Sequence, residues 1–149
     1  MSKADKALAS LVEQHGWAVV KVPEDDRGPG FAYSVGLYWA FGHAEIVIFG
    51  LSPELMHQVI NHIGDLIEKG KAFADHDISD DILEAYEVVF RLVSERMYGE
   101  YFGAGIRFYG SRSFPVLQCV WPDFNARFPW HADAAEECRR QPLLSNENG

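Results

Sequence analysis

The sequence predicts an α+β domain: a single, mostly antiparallel sheet of about five strands with two or three helices packed on it. Three observations point there. Runs rich in branched and aromatic residues recur between Gly/Pro turns, at 17–22, 31–37, 45–49, 86–93 and 114–121. Apolar residues at helical spacing fill two stretches, one before Gly16 and one after Ser52. The 149 residues suit one domain, and no internal repeat, low-complexity segment or linker divides them.

Residues 4–15 place Leu8, Leu11 and Val12 at helical spacing, with Gly16 as the C-cap. A strand at 17–22 stops at Pro23, and an acidic turn at 24–29 follows. In 31–37 the bulky Phe31, Tyr33, Val35 and Leu37 alternate with Ala32, Ser34 and Gly36, giving a strand with one bulky and one open face. These two strands form a hairpin. Glu45–Phe49 is apolar at nearly every position, as in a central strand covered on both faces. Ser52-Pro53-Glu54 starts a helix, with an N-cap serine, proline at the first position and acid in the first turn. Its apolar stripe runs from Leu55 through Met56, Val59, Ile60, Ile63 and Leu66 to Ile67, and Gly70 closes it.

A short strand at 71–74 and an acidic connection at 75–84 are expected next. Residues 94–109 are ambiguous, because Met97, Tyr101 and Phe108 favour a helix that Gly99, Gly103 and Gly105 weaken. Pro122 ends the last strand, and 123–144 wraps the sheet. Disorder is expected only at the ends, in residues 1–3 and from about 144–145 onward.

A net charge of −9, with basic residues scattered and only Arg139 and Arg140 adjacent, disfavours nucleic acid and anionic membranes as partners. The N-terminal residues lack a signal peptide's apolar core, and no apolar run approaches the roughly 20 residues of a membrane span. Two cysteines make no disulfide framework, so a cytoplasmic location is the expectation.

Most sites of recognisable chemistry are missing. Counting from Asp75, a calcium loop would need glycine and glutamate where Asp80 and Tyr86 stand. His57 and His62 share a helix but point about 140° apart. His43 with Glu45 and His131 with Asp133 are ligand pairs lacking a third partner nearby, so no metal and no cofactor is implied. The glycines at 99–110 match neither a dinucleotide fingerprint nor a phosphate-binding loop. Cys119 shares strand parity with Leu117 and Trp121, which reads as a buried, inert thiol. Gln118 interrupts an apolar strand and needs hydrogen-bond partners, from a neighbouring loop or from a ligand. Residues 121–130 concentrate aromatics and prolines around a turn at Asp123, where Asn125 tolerates positive φ. Such a loop either seals a core or forms a recognition surface.

Taken together, Gly16-Trp17-x-Val19, Phe31-Ala-Tyr-Ser-Val-Gly-Leu37, Gly42-His-Ala-Glu-Ile46, Phe49-Gly-Leu51, Leu117-Gln-x-Val-Trp-Pro-Asp123, Arg127-Phe-Pro-Trp130 and Gln141-Pro-Leu-Leu144 resemble the bacterial family described as domain of unknown function 4262. The resemblance spans about residues 16–144 and implies no particular activity. The chain departs from the family at Ala44, where proline is usual, and at Asn125-Ala126, where glycine is usual.

Two functions stay open. One is a binding module for a protein partner or small ligand through the 121–130 loop. The other is a small enzyme using His43 and Glu45 as an acid–base pair. The candidate binding residues are Tyr33, Ser34, His43, Glu45, Gln118, Trp121, Asp123, Arg127 and Trp130. In the sharpest form of this expectation, the loop folds over the sheet end and shares a surface with His43 and Glu45. Phe124, Phe128 or Trp130 is then buried, the open face of Ala32, Ser34 and Gly36 having room for an aromatic ring, and Arg127 pairs with Glu45 or Asp123.

Overall fold

The computed structural model describes residues 2–145. In chain order the elements are α1 (Lys3–His15), β1 (Ala18–Val22), β2 (Phe31–Val35), α2 (Leu37–Phe41), β3 (Glu45–Phe49), α3 (Pro53–Glu68), β4 (Ile78–Leu83) and β5 (Tyr86–Leu92). A 3-10 turn (Glu95–Met97), α4 (Tyr98–Tyr101), α5 (Gly103–Tyr109), β6 (Val116–Val120) and α6 (Glu136–Arg139) complete the chain. The strands form one sheet in the order β1-β2-β3-β6-β5-β4, with β3 and β6 parallel and every other neighbour antiparallel.

The caps behave as their residue types dictate. Ser2 Oγ accepts from Asp5 N at the start of α1, and Ser52 Oγ accepts from Leu55 N at the start of α3. The apolar stripe of α3 packs on one sheet face, against Ala32, Ile46, Ile48, Leu117 and Cys119. On the other face Tyr33, Val35, Val47, Phe49 and Val116 meet Val12 of α1, Tyr98 of α4 and Phe102. Strands β2, β3 and β6 are buried at every position because both faces are covered.

Among the described residues the sheet thus has six strands rather than about five, and there are six helices rather than two or three. The extra strand, β4, lies inside the segment expected to be an acidic connection, while 71–74 has no regular structure. As an edge strand β4 buries Ser79 and Ile82 and turns Asp80 and Asp81 outward. Outward charge and an irregular register are how edges resist further pairing, and both disguise the strand in the sequence. The run expected as a strand at 31–37 ends at Val35, because Gly36 at φ 122 turns the chain into α2. Residues 94–109 resolve as the 3-10 turn, α4 and α5. Lys3 is already helical and Leu144 is buried, so order reaches further than expected at both ends. Met1 and residues 146–149 lie outside the described residues. Among the described residues no helix is long and apolar enough to cross a membrane.

The face of β2 that carries Ala32 is filled by α3, not by Trp130. A Cβ on Gly36 would lie 2.5 Å from the carbonyl oxygen of Gly16, so the turn entering β1 packs directly on it. Trp17 then lies across α3, where a Cβ on Gly64 would come within 2.5 Å of its ring. Its indole N–H donates to Asn61 Oδ1 at 3.0 Å. The ring of Trp17 takes the space that Gly64 leaves on α3.

Candidate functional site

At the end of the sheet where β3 begins, Glu45 is fully buried. Its carboxylate accepts from Ser34 Oγ (2.7 Å), Gly36 N (2.9 Å), Leu37 N (3.1 Å) and Tyr38 N (3.3 Å), and from a short hydrogen bond donated by the Tyr109 hydroxyl. Glu45 therefore satisfies the otherwise orphaned N–H groups of α2 and ties β2, β3 and α5 together. Ser34 Oγ in turn accepts from Ile46 N, and Tyr109 Oη accepts from Trp39 N. Burial pushes the Glu45 carboxyl above its ordinary value, while the hydrogen bonds from Tyr109, Ser34 and the backbone of Gly36 and Tyr38 pull it back. Burial also raises the Tyr109 hydroxyl, and the Glu45 charge raises it further.

His43 is engaged equally fully. Nδ1–H donates to Ala44 O at 2.8 Å, and Nε2 accepts from Phe73 N at 3.0 Å. These partners, a carbonyl and an N–H, fix which nitrogen holds the proton. Tyr33 is buried against Phe102, and burial pushes its hydroxyl up. Gln118 holds the C-terminal segment: Nε2 donates to Pro142 O at 2.6 Å and Oε1 accepts from Leu144 N at 3.0 Å. Its amide needs no ligand to be satisfied. Gln141 does the same for Trp121, accepting from its N–H and donating to its carbonyl.

The opposite end of the sheet is built differently. Trp121 is buried, and its indole N–H donates to Phe49 O at 2.6 Å. Asp123 organises the loop. Oδ1 accepts from Asn125 N and Arg127 N, Oδ2 accepts from Ala135 N, and its own N–H donates to Arg127 O. These backbone donors, Ala135 first, hold the Asp123 carboxyl below its ordinary range. Positive φ falls on Ala126 (61°) rather than on Asn125. Arg127 pairs with Asp133, Nε to Oδ2 at 3.4 Å, and not with Glu45 or Asp123. Trp130 is 44% exposed and stacks on Phe128 at 5.0 Å.

The expected shared surface does not form. Glu45 pairs in register with Val116, and β3 and β6 run parallel. Trp121 follows Val116 by five positions, roughly 17 Å along a strand at about 3.3 Å per residue. Asp123, Arg127 and Trp130 lie beyond it, while His43 and Glu45 stand at the other end.

Between the start of α3, the β4–β5 turn and the loop lies a groove of about 450 Å3, lined by Leu51, Leu55, Leu83, Tyr86, Trp121 and Phe124. Phe124, 89% exposed, stands edge-on to Tyr86 at 6.4 Å. Glu84 and Glu137 also line it. Leu51, Leu55, Leu83 and Tyr86 were not legible as site residues, since each is an ordinary apolar position of its own element. Tyr109 was hidden in the ambiguous 94–109 segment. Among the described residues no group of three or more His, Cys, Asp or Glu side chains is placed to hold a metal ion.

The arrangement defines a sheet domain with a buried acid beneath α2 at one end and an apolar groove beside the 121–130 loop at the other. Residues 11–135 match the model of the domain of unknown function DUF4262, and the chain belongs to that family. No curated protein and no solved structure matches it significantly.

Proposed function

We propose that this domain is a binding module, and that the groove beside the 121–130 loop receives an apolar segment of a protein partner flanked by a basic residue. The observation that carries this reading is Phe124. An 89% exposed phenylalanine on a loop held by Asp123 has no role in the core, and it borders an apolar groove. Exposed aromatics beside a preformed apolar cleft are the usual anchors of recognition. Glu84 and Glu137 at the groove and the overall charge of −9 favour a cationic partner. Catalysis by His43 and Glu45 has less support, because their polar atoms are committed to backbone groups and to Ser34 and Tyr109.

The test is protein-observed NMR with phenethylamine and phenylacetate as probes. Phenethylamine is expected to shift Leu55, Tyr86 and the Trp121 indole, more strongly than phenylacetate, and Phe124→Ala is expected to weaken it. Equal binding of both probes would favour a neutral small ligand instead. Absence of shifts in the groove would overturn the reading.

A further inference from the structure

Basic residues are scattered along this acidic chain, yet three arginines from separate segments meet in space. Arg91 of β5, Arg96 of the 3-10 turn and Arg112 after α5 line one cavity of about 550 Å3 beside the start of β6. The Arg91 side chain is only 12% exposed, and its Nε is held by Asp75 Oδ1 at 3.2 Å. Arg112 lies against the backbone of Gly99, where a Cβ would stand 3.1 Å from its Nη2. Any side chain at 99 would crowd that guanidinium. Among the described residues, neither Arg96 nor Arg112 forms an ion pair. Among the described residues, the acids lining the cavity are Asp75, already on Arg91, and Glu95.

We propose that this cavity binds the phosphoryl group of a small molecule, at a site separate from the apolar groove. The volume falls within the roughly 300–1,000 Å3 of small-molecule sites. Guanidinium forks match phosphoryl oxygens two at a time, and phosphate presents three such oxygens where carboxylate presents two. Ser113 lines the same cavity and adds a hydroxyl group beside the arginines. Arg96 and Arg112, neither in an ion pair among the described residues, stand beside Glu95 on a protein of net charge −9, and an anion entering here meets their positive charge.

The probes are inorganic phosphate, phenyl phosphate and phenylacetate, titrated calorimetrically into the full chain at constant ionic strength. Saturable binding of phenyl phosphate is expected, weakened at least tenfold in the Arg96→Gln/Arg112→Gln double variant, whose unliganded melting temperature stays that of the parent. Inorganic phosphate binding as tightly as phenyl phosphate identifies free phosphate as the ligand; a clear preference for phenyl phosphate identifies a phosphorylated molecule. Phenylacetate matching phenyl phosphate, or unchanged binding in the double variant, would overturn the proposal. Should the double variant not fold, NMR on the parent decides. Phenyl phosphate must shift the amides of Ser94, Arg96 and Ser113, and shifts confined to other regions would sink the site.

Discussion

The two ends of the sheet handle polarity in different ways. At the Glu45 end a buried carboxylate gathers donors from β2, α2 and α5 and holds the start of α2, whose Tyr38, Trp39 and Phe41 are exposed. At the Asp123 end the carboxylate also binds backbone N–H groups, but it shapes a loop that turns Phe124 and Trp130 outward. One acid is itself buried among strand and helix donors, and the other shapes a loop at the surface. The difference teaches that a hydrogen-bonded acid reveals little about function until the exposure of its neighbours is known.

The comparison breaks first at Glu45. Glu45→Ala would leave five donors without their acceptor, and should cost about 3–5 kcal/mol in urea unfolding, as for breaking a buried charged cluster. Glu45→Gln should cost less but not be silent, since an amide NH2 cannot accept from the N–H groups that start α2. A stability change in Glu45→Ala under about 1 kcal/mol would show that this end of the sheet is not held by this residue.

A smaller effect is expected at Asp123, where it takes a particular pH form. A carboxyl held below its ordinary value stabilises the fold fully above the unfolded pKa of about 3.9 and loses that contribution as pH falls through the lowered folded value. Asp123→Asn should therefore lower the melting temperature at pH 7 and converge with the parent in strong acid. Parallel melting curves across the whole range would refute the charge-based account.

Smaller again, Trp130→Ala should cost only about 0.5–1.5 kcal/mol, the worth of a stacked aromatic pair, rather than the 3–5 of a buried tryptophan. A larger loss would mean that the loop seals the core after all. Last, Phe124→Ala should leave stability within about 0.5 kcal/mol while weakening any groove ligand, a separation that calorimetry and NMR can read on one sample.

Much of the framework was legible in local pattern. The start and stripe of α3, the doubly covered β3 and the β1–β2 hairpin follow from caps and periodicity that neighbouring residues write together. Strand parity likewise placed Cys119 in the core, where burial pushes its thiol up to about 12. The need of Gln118 for partners was visible as a polar residue in an apolar strand, though Pro142 and Leu144 as those partners were not. β4 was hidden because its protective aspartates resemble a loop, and α2 because its apolar residues continue the run of β2.

By itself, then, the sequence determined which segments are regular and which residues must be buried, since both depend on the spacing of neighbours along the chain. Only the tertiary structure decided what stands beside what. The parallel pairing of β3 with β6 places Glu45 level with Val116 and sends Asp123 to the far end; antiparallel pairing would have brought the two acids' ends together. Strand direction is set by how the intervening α3, β4 and β5 traverse the sheet, and no local period encodes it. The same folding brings Arg91, Arg96 and Arg112 to one cavity and seats the ring of Trp17 against Gly64 of α3.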